Sequence, residues 1–399
     1  PVQLSLSNIK GNDIRYSVDG SYPKTTYTRP LIINSTTTIR VRNSNSTKGF
    51  TRNYVFHPRK VSLPIVCITI NPADLYDSIK GMYVKGPGAD DKPPYKGANF
   101  HKKIEKLAYI ELIDTNNVVE FNQRVGLKIF GQYSAMLPQK SFSVHARDKY
   151  GNNRIRAKIF PDRKFKKYKS FVIRNSGSDF CNSHFRDIMM TGLVKDFNIE
   201  NQSYRSCIVY LNGKYWGIYH LREKINEFYI KQHYKIDKDS IAIVRHNGEV
   251  QYYGRLNYRD MLKFLKTNNF ESNTMIDSLS QLMDIDNYLD YNIAQVYFNN
   301  IDAGGNIRYW RSLKPGSKWR WILFDTDSGF GRLRQSDYRH NTLAYALQSS
   351  GPVFHNPPWS TLLLRRLLTN ESFKNNFINT FADELNTRFI PEQVNELID

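Results

Sequence analysis

Residues 299–331 read NNIDAGGNIRYWRSLKPGSKWRWILFDTDSGFG, and the fold is decided here. Asp302 opens a short loop and Asn306 follows four residues later. A strand then runs over about 307–313, Pro315-Gly316 turns the chain, and a second strand covers 319–324. The apolar run Trp321-Ile322-Leu323-Phe324 predicts a buried strand that presents Asp325 at its end, ahead of Thr326-Asp327-Ser328-Gly329-Phe330-Gly331. Glycines 329 and 331 let the backbone turn close to a bound group. A single aspartate in such a loop commonly caps a turn; two, with an asparagine, around one strand pair argue for a site.

Upstream of this stretch the chain changes texture twice. The first 57 residues carry no helical period. Ile14-Arg15-Tyr16-Ser17-Val18 alternates, Asp19-Gly20 turns, and Leu31-Ile32-Ile33 and Thr38-Ile39-Arg40-Val41-Arg42 are β-branched runs. They predict a small all-β sandwich closing near His57-Pro58. From Val61 onward, strands are expected over 63–70, 106–114, 118–130, 140–147, 154–160 and 169–174, with a short helix from Pro72 and a helix over about 183–196. Cys207–Leu211 and Tyr215–Leu221 flank Asn212-Gly213, a strong hairpin signal. Helices follow over about 225–233, 257–267, 274–297, 358–368 and 371–387. The expected class is α+β, with domains 1–58 and 59–399, the latter strand-rich over 59–222 and helical over 223–399.

The 399 residues carry 40% hydrophobic and 24% charged side chains, an ordinary globular balance. Charge is the outlier: 57 Lys plus Arg against 37 Asp plus Glu gives +20. Such an excess concentrates anions, but no nucleic-acid reading motif accompanies it, which argues for a solvated basic surface. Cys67, Cys181 and Cys207 form no metal or disulfide pattern, and no apolar run is long enough to span a bilayer. The first residue is Pro1 rather than Met, as expected of a chain whose leader has been removed.

A strand-rich half, one helix, a hairpin and a helical half is also the layout of a two-lobed kinase, with the 307–324 strand pair where a kinase places its metal-binding strands. Phosphoryl transfer needs a carboxylate aimed at the acceptor hydroxyl and a second one holding Mg²⁺. Asp302, Asn306 and Asp325 stand in that order. Asp325-x-Asp327-x-Gly329 also has a Ca²⁺-loop flavour, without the entering helix or closing Glu of an EF-hand.

YLNGKYWGIYHLREKI (210–225), GQYSAMLPQKSF (131–142), VIRNSGSD (172–179) followed by Arg186-Asp187, and WILFDTDSGFG (321–331) resemble the motifs of the CotH (spore-coat protein H) kinase-like family over about residues 61–399. The resemblance implies an atypical protein kinase fold using ATP and Mg²⁺, with Asp302 as the catalytic aspartate and Asp325 as the Mg²⁺ ligand. Asn306 would be a second metal or loop-positioning residue, and Asp327 a further metal candidate. No GxGxxG is present, so the loop 131–138 with Lys140 at its end competes with Arg174 for the phosphates. Arg186 or Asp187 is a candidate partner of the chosen base. Glu223 stands where a hinge would meet adenine, as a contact or as a structural residue. Separately, IRYSVDGSYP and TTTIRVR within residues 14–42 resemble the Ig-like module at the C-terminus of chitobiases and hexosaminidases, which implies an accessory role and a secreted or cell-surface setting.

Two functions are therefore carried forward. One is a Mg²⁺-ATP-dependent kinase acting on Ser, Thr or another hydroxyl of an extracytoplasmic acceptor, neutral or acidic rather than basic given the +20 charge. The other is a non-catalytic surface protein that uses a kinase-like fold as a scaffold, for glycans among other ligands. Ala135, where the family motif often carries a basic residue, favours the second.

Overall fold

The computed structural model describes residues 1–7, 13–59, 61–252, 255–332, 337–352 and 354–398. Contacts divide the chain into two compact units, one made of Pro1–Gly177 with Tyr204–Lys224, the other of Ser178–Ser203 with Ile225–Asp399. The segment 178–203, grouped by its sequence position with the strand-rich half, therefore belongs with the helical half. Its helix Arg186–Leu193 buries Met189, Met190 and Leu193 in the second unit's core.

The first unit is built on a closed seven-stranded barrel. In order around it run Ser141–His145, Ser170–Arg174, Lys214–Glu223, Tyr204–Leu211, Ile65–Ile70, Lys106–Ile113 and Val119–Phe130, which pairs back to the first. Only Ile65–Ile70 with Tyr204–Leu211 is parallel. The period-2 alternation puts Ile68, Ile110, Leu127, Val144, Phe171, Val209 and Leu221 into one buried cluster. Closure leaves the sheet without a free edge. Asn212 and Gly213 both take positive φ, 50° and 78°, as a two-residue type I′ turn requires. The Asn212 side chain also accepts from Ile70 N (2.9 Å) and donates to Ile70 O (2.8 Å), so the turn is tied to the neighbouring strand.

Within residues 1–7 and 13–54 of this unit the chain forms two small sheets. Thr25–Thr26, Ile14–Ser17, Thr37–Asn43 and Gly49–Tyr54 pair antiparallel, and Val2–Leu4 pairs with Leu31–Ile33. Ile14, Ile33, Ile39 and Val41 fill the space they enclose. The module is braced to the barrel through the wholly buried Glu111 carboxylate. It accepts from Asn53 N (2.9 Å) and Asn53 Nδ2 (2.7 Å) and pairs with Arg52 at 3.1 Å.

The second unit surrounds a four-stranded antiparallel sheet, ordered Glu249–Tyr252, Ile241–Arg245, Arg308–Ser312, Arg320–Ile322. The sequence reading anticipated the last two strands and missed the first two. Apart from the mostly exposed edge strand Glu249–Tyr252, the sheet is buried on both faces. Ile241, Ile243, Trp310 and Ile322 meet helix Glu227–Tyr234, whereas Ala242, Val244, Tyr309 and Trp321 enter the larger helical core. The helix expected over 274–297 is two, Asn273–Ser280 and Ile285–Tyr297. Between them Trp319 N donates to Leu282 O and Asp284 N to Trp319 O, both at 2.9 Å, and Asp284 then caps the second helix. Backbone pairing with the hairpin strand thus overrides the helical period. No helix among the described residues is long and apolar enough to cross a membrane.

Candidate functional site

The helix Ile285–Tyr297 ends at Phe298, and the chain turns through Asn299, whose φ is 49°. The Asn299 carbonyl oxygen on the side chain accepts from His340 Nδ1 and Thr342 Oγ1, both at 2.8 Å, which fixes the turn. Asp302 follows at the start of the 3-10 turn Ala303–Gly305. Its Oδ1 accepts from His355 Nδ1 at 2.7 Å and its Oδ2 from Asn306 Nδ2 at 3.0 Å. Asn306 is thereby a positioning residue that still carries an acceptor oxygen. Burial, reinforced by the Asp325 charge, lifts the Asp302 carboxyl above its ordinary value against the opposing pull of His355 and Asn306.

Asp325 leaves the strand pair with φ 58°, a left-handed conformation that Asp tolerates better than most residues. The loop it opens is held at three points. Thr326, fully buried, donates through N (3.0 Å) and Oγ1 (3.1 Å) to Asp187 Oδ1 on the helix Arg186–Leu193. Asp327 Oδ2 accepts from Ser178 N at 2.9 Å. Phe330 N donates to Phe298 O at 2.7 Å. Gly329 is required by close approach: a Cβ there would sit 2.5 Å from Phe298 O. Its role is packing against that carbonyl, a different reason from the turn anticipated by sequence. Arg308 lies over the Phe324 ring at 4.2 Å and within the field of Asp325. Burial brings its guanidinium down to about 10, against the Asp325 charge that supports it.

Asp302, Asn306 and Asp325 are thus gathered in the second unit at the two ends of one hairpin, with Arg308 beside them. Asp327, Arg186 and Asp187 also belong to the second unit, whereas Lys140, Arg174 and Glu223 lie in the first. Lys140 is buried, and its ammonium donates to Ala135 O (2.7 Å) and Leu137 O (3.0 Å) near the Phe100 and Tyr83 rings. It ties down the 133–136 turn. Two of the three ammonium N–H groups are thus directed to the loop's own carbonyls rather than to solvent. Arg174 ends a barrel strand opposite His220. The Glu223 carboxylate is buried and paired with Arg163 at 2.8 Å. Arg186 pairs with Asp179. His355, 53 residues beyond Asp302, was not legible as a site residue, since it belongs to no local motif around the hairpin; Asp187, a candidate partner of a basic residue from the sequence, accepts from Thr326 instead.

Two adjacent carboxylates with an amide oxygen are hard donors of the kind Mg²⁺ takes, and one or two protein carboxylates suffice when phosphates complete the shell. No cluster of three or more His, Cys, Asp or Glu suited to a metal occurs among the described residues. The family model described as CotH kinase protein matches residues 127–399. The chain belongs to the CotH kinase protein family. In this CotH kinase protein the match takes in both the 131–142 loop and the hairpin site, while residues 61–126 lie outside it. A second model, described as Fn3 associated, matches residues 2–53, most of the N-terminal β module. No curated protein matches the chain.

Proposed function

We propose that the chain is an atypical kinase that transfers a phosphoryl group from ATP to a hydroxyl, of Ser, Thr or another extracytoplasmic acceptor. The observation that carries this reading is the coupling of Asp302 to Asp325 across the Arg308–Ile322 hairpin, in a member of the CotH kinase protein family. A two-lobed kinase plan and a secreted or surface setting belong to the same reading, the latter on the strength of the accessory β module.

Asp302 receives the proton of the acceptor hydroxyl as its oxygen forms the new bond to the γ-phosphorus, while the bond to the β,γ-bridging oxygen breaks and ADP leaves. His355 and Asn306 hold both oxygens of that carboxylate in place. Asp325 would hold Mg²⁺, with Asn306 and Asp327 as further oxygen donors; the ion would neutralise charge on the phosphates. Arg308 lies within the field of Asp325. Lys140 is committed to backbone carbonyls, so Arg174 is the basic residue of the first unit to test for phosphate contact. The +20 charge favours neutral or acidic acceptors.

The test is calorimetric titration of ATP with and without Mg²⁺ on the wild type and on Asp325→Ala. Mg²⁺-dependent binding that disappears in the variant is expected. Wild-type protein that binds no nucleotide with any divalent metal would sink the kinase reading and leave the scaffold alternative, which the commitment of Lys140 favours.

A further inference from the structure

Behind the Asp302 turn the second unit contains a cavity of about 50 Å³. Ala303 and Gly304 form one wall, and His355, which holds Asp302 Oδ1, stands in another. Four polar atoms of the lining residues are buried without a hydrogen-bond partner among the described residues: Tyr291 Oη, Gln295 Nε2, Asn300 Oδ1 and Thr361 Oγ1. Tyr291, Gln295 and Asn300 are 4%, 6% and 3% exposed. Tyr291 and Gln295 approach each other without closing a hydrogen bond. Asn300 is half satisfied, its Nδ2 donating to Gln295 Oε1 at 2.8 Å.

Buried groups of this kind destabilise a fold unless something pairs with them. Four around one space is a concentration that ordinary packing does not explain. The chemistry they request is specific. The amide nitrogen of Gln295 donates, the amide oxygen of Asn300 accepts, and the Tyr291 and Thr361 hydroxyls do either. Among the described residues no Lys, Arg, Asp or Glu lines the space, so an ion placed there would lack a counter-charge. A water-sized occupant takes about 10–15 Å³ of such space, which leaves room for about four heavy atoms.

We propose that this cavity is a binding pocket for an uncharged group that both donates and accepts hydrogen bonds, a hydroxyl or a carboxamide. Waters fill it at rest. Its wall is the Asp302 turn, and His355 couples its contents to the Asp302 carboxylate. Assigning the bound group to the acceptor, rather than to a separate small ligand, rests on the reading of Asp302 given above.

Acetamide and ethylene glycol are the probes, with acetate and methylammonium as charged controls, followed by NMR of the full chain. Saturable binding of the neutral pair in the millimolar range is expected, with movement of the His355 ring resonances. Tyr291→Phe and Thr361→Val each remove a hydroxyl that has no partner, so both variants fold, with stability unchanged or raised. The double variant is expected to weaken probe binding at least tenfold while leaving Mg²⁺-ATP affinity intact. No saturable binding, an equal response to the charged controls, or equal binding by the double variant would overturn the pocket. So would a crystal in which waters stay in place under saturating acetamide. The assay needs no nucleotide, so a chain that binds acetamide but not ATP would refute the kinase reading and keep the pocket.

Discussion

Replacing Asp187 with alanine is expected to loosen the Asp325–Phe330 loop and to destabilise the second unit by about 3–5 kcal/mol. The magnitude follows from the contacts. Asp187 is 4% exposed, and its Oδ1 accepts both the amide and the hydroxyl of Thr326, a fully buried residue. A hydrogen bond to a charged group contributes about 1.5–3 kcal/mol, and truncation also leaves the Thr326 donors in a dry interior. Two milder changes divide the effect. Thr326→Val removes the hydroxyl but keeps the amide, for about 1–2 kcal/mol. Asp187→Asn keeps an acceptor oxygen without the charge and should fall between the other two. Urea unfolding followed by tryptophan fluorescence reads the right part of the molecule, because Trp310, Trp319, Trp321 and Trp359 lie in the second unit and only Trp216 in the first. Mg²⁺-ATP affinity should fall in the same order, since Asp325 sits next to the anchored Thr326. An Asp187→Ala protein within about 1 kcal/mol of wild type, or one no worse than Thr326→Val, would refute the anchoring argument.

Glu111→Ala removes the brace between the N-terminal module and the barrel and leaves Asn53 and Arg52 without their acceptor; a loss of about 3–5 kcal/mol and faster protease cleavage near residue 58 are expected. Gly329→Ala forces a methyl to within 2.5 Å of the Phe298 carbonyl, so a loss of about 1–3 kcal/mol in urea unfolding should accompany weaker Mg²⁺-ATP binding. Acid should destabilise the first unit in two steps. Burial, helped by Lys224, Lys128 and Arg147, brings His145 down to about 3. Between pH 6.5 and 3 the unfolded chain takes up a proton that the folded one refuses, so stability falls as pH falls, by at most about 1.4 kcal/mol per pH unit. Burial alone would raise Glu105, but Arg147, Lys149 and Tyr150 outweigh it and hold the carboxyl at about 2; its contribution, present above the ordinary value, is lost from about pH 4.5 downward. His145→Asn should flatten the upper part of the stability–pH curve and Glu105→Gln the lower part, as measured by urea midpoints across that range.

Where the chain's local chemistry and its final fold agree, the pattern was readable in one dimension. Asn212-Gly213 demanded a hairpin, the runs 106–114 and 118–130 read as strands and are strands, and the spacing of Asp302, Asn306 and Asp325 around a strand pair marked the candidate site. These depend on contacts only a few residues apart, or on a period that a single segment carries. The strand 241–245 was not readable, because a short strand buried on both faces shows no alternation, and 249–252 is a mostly exposed edge strand with no apolar run to mark it. The break at 281–284 was not readable either, since it exists to pair with Trp319, 35 residues away. The roles of individual polar residues belonged most completely to the tertiary structure. For Lys140 and Glu223 the sequence left the role open, and only packing shows one on the carbonyls of its own loop and the other on Arg163. His355 carried no signal until folding brought it against Asp302, and Asp187 stood out in a motif without showing that its partner would be Thr326. A side chain's chemistry is written in its identity, but whether that chemistry is still free to act depends on which distant groups the fold sets within three ångströms of it.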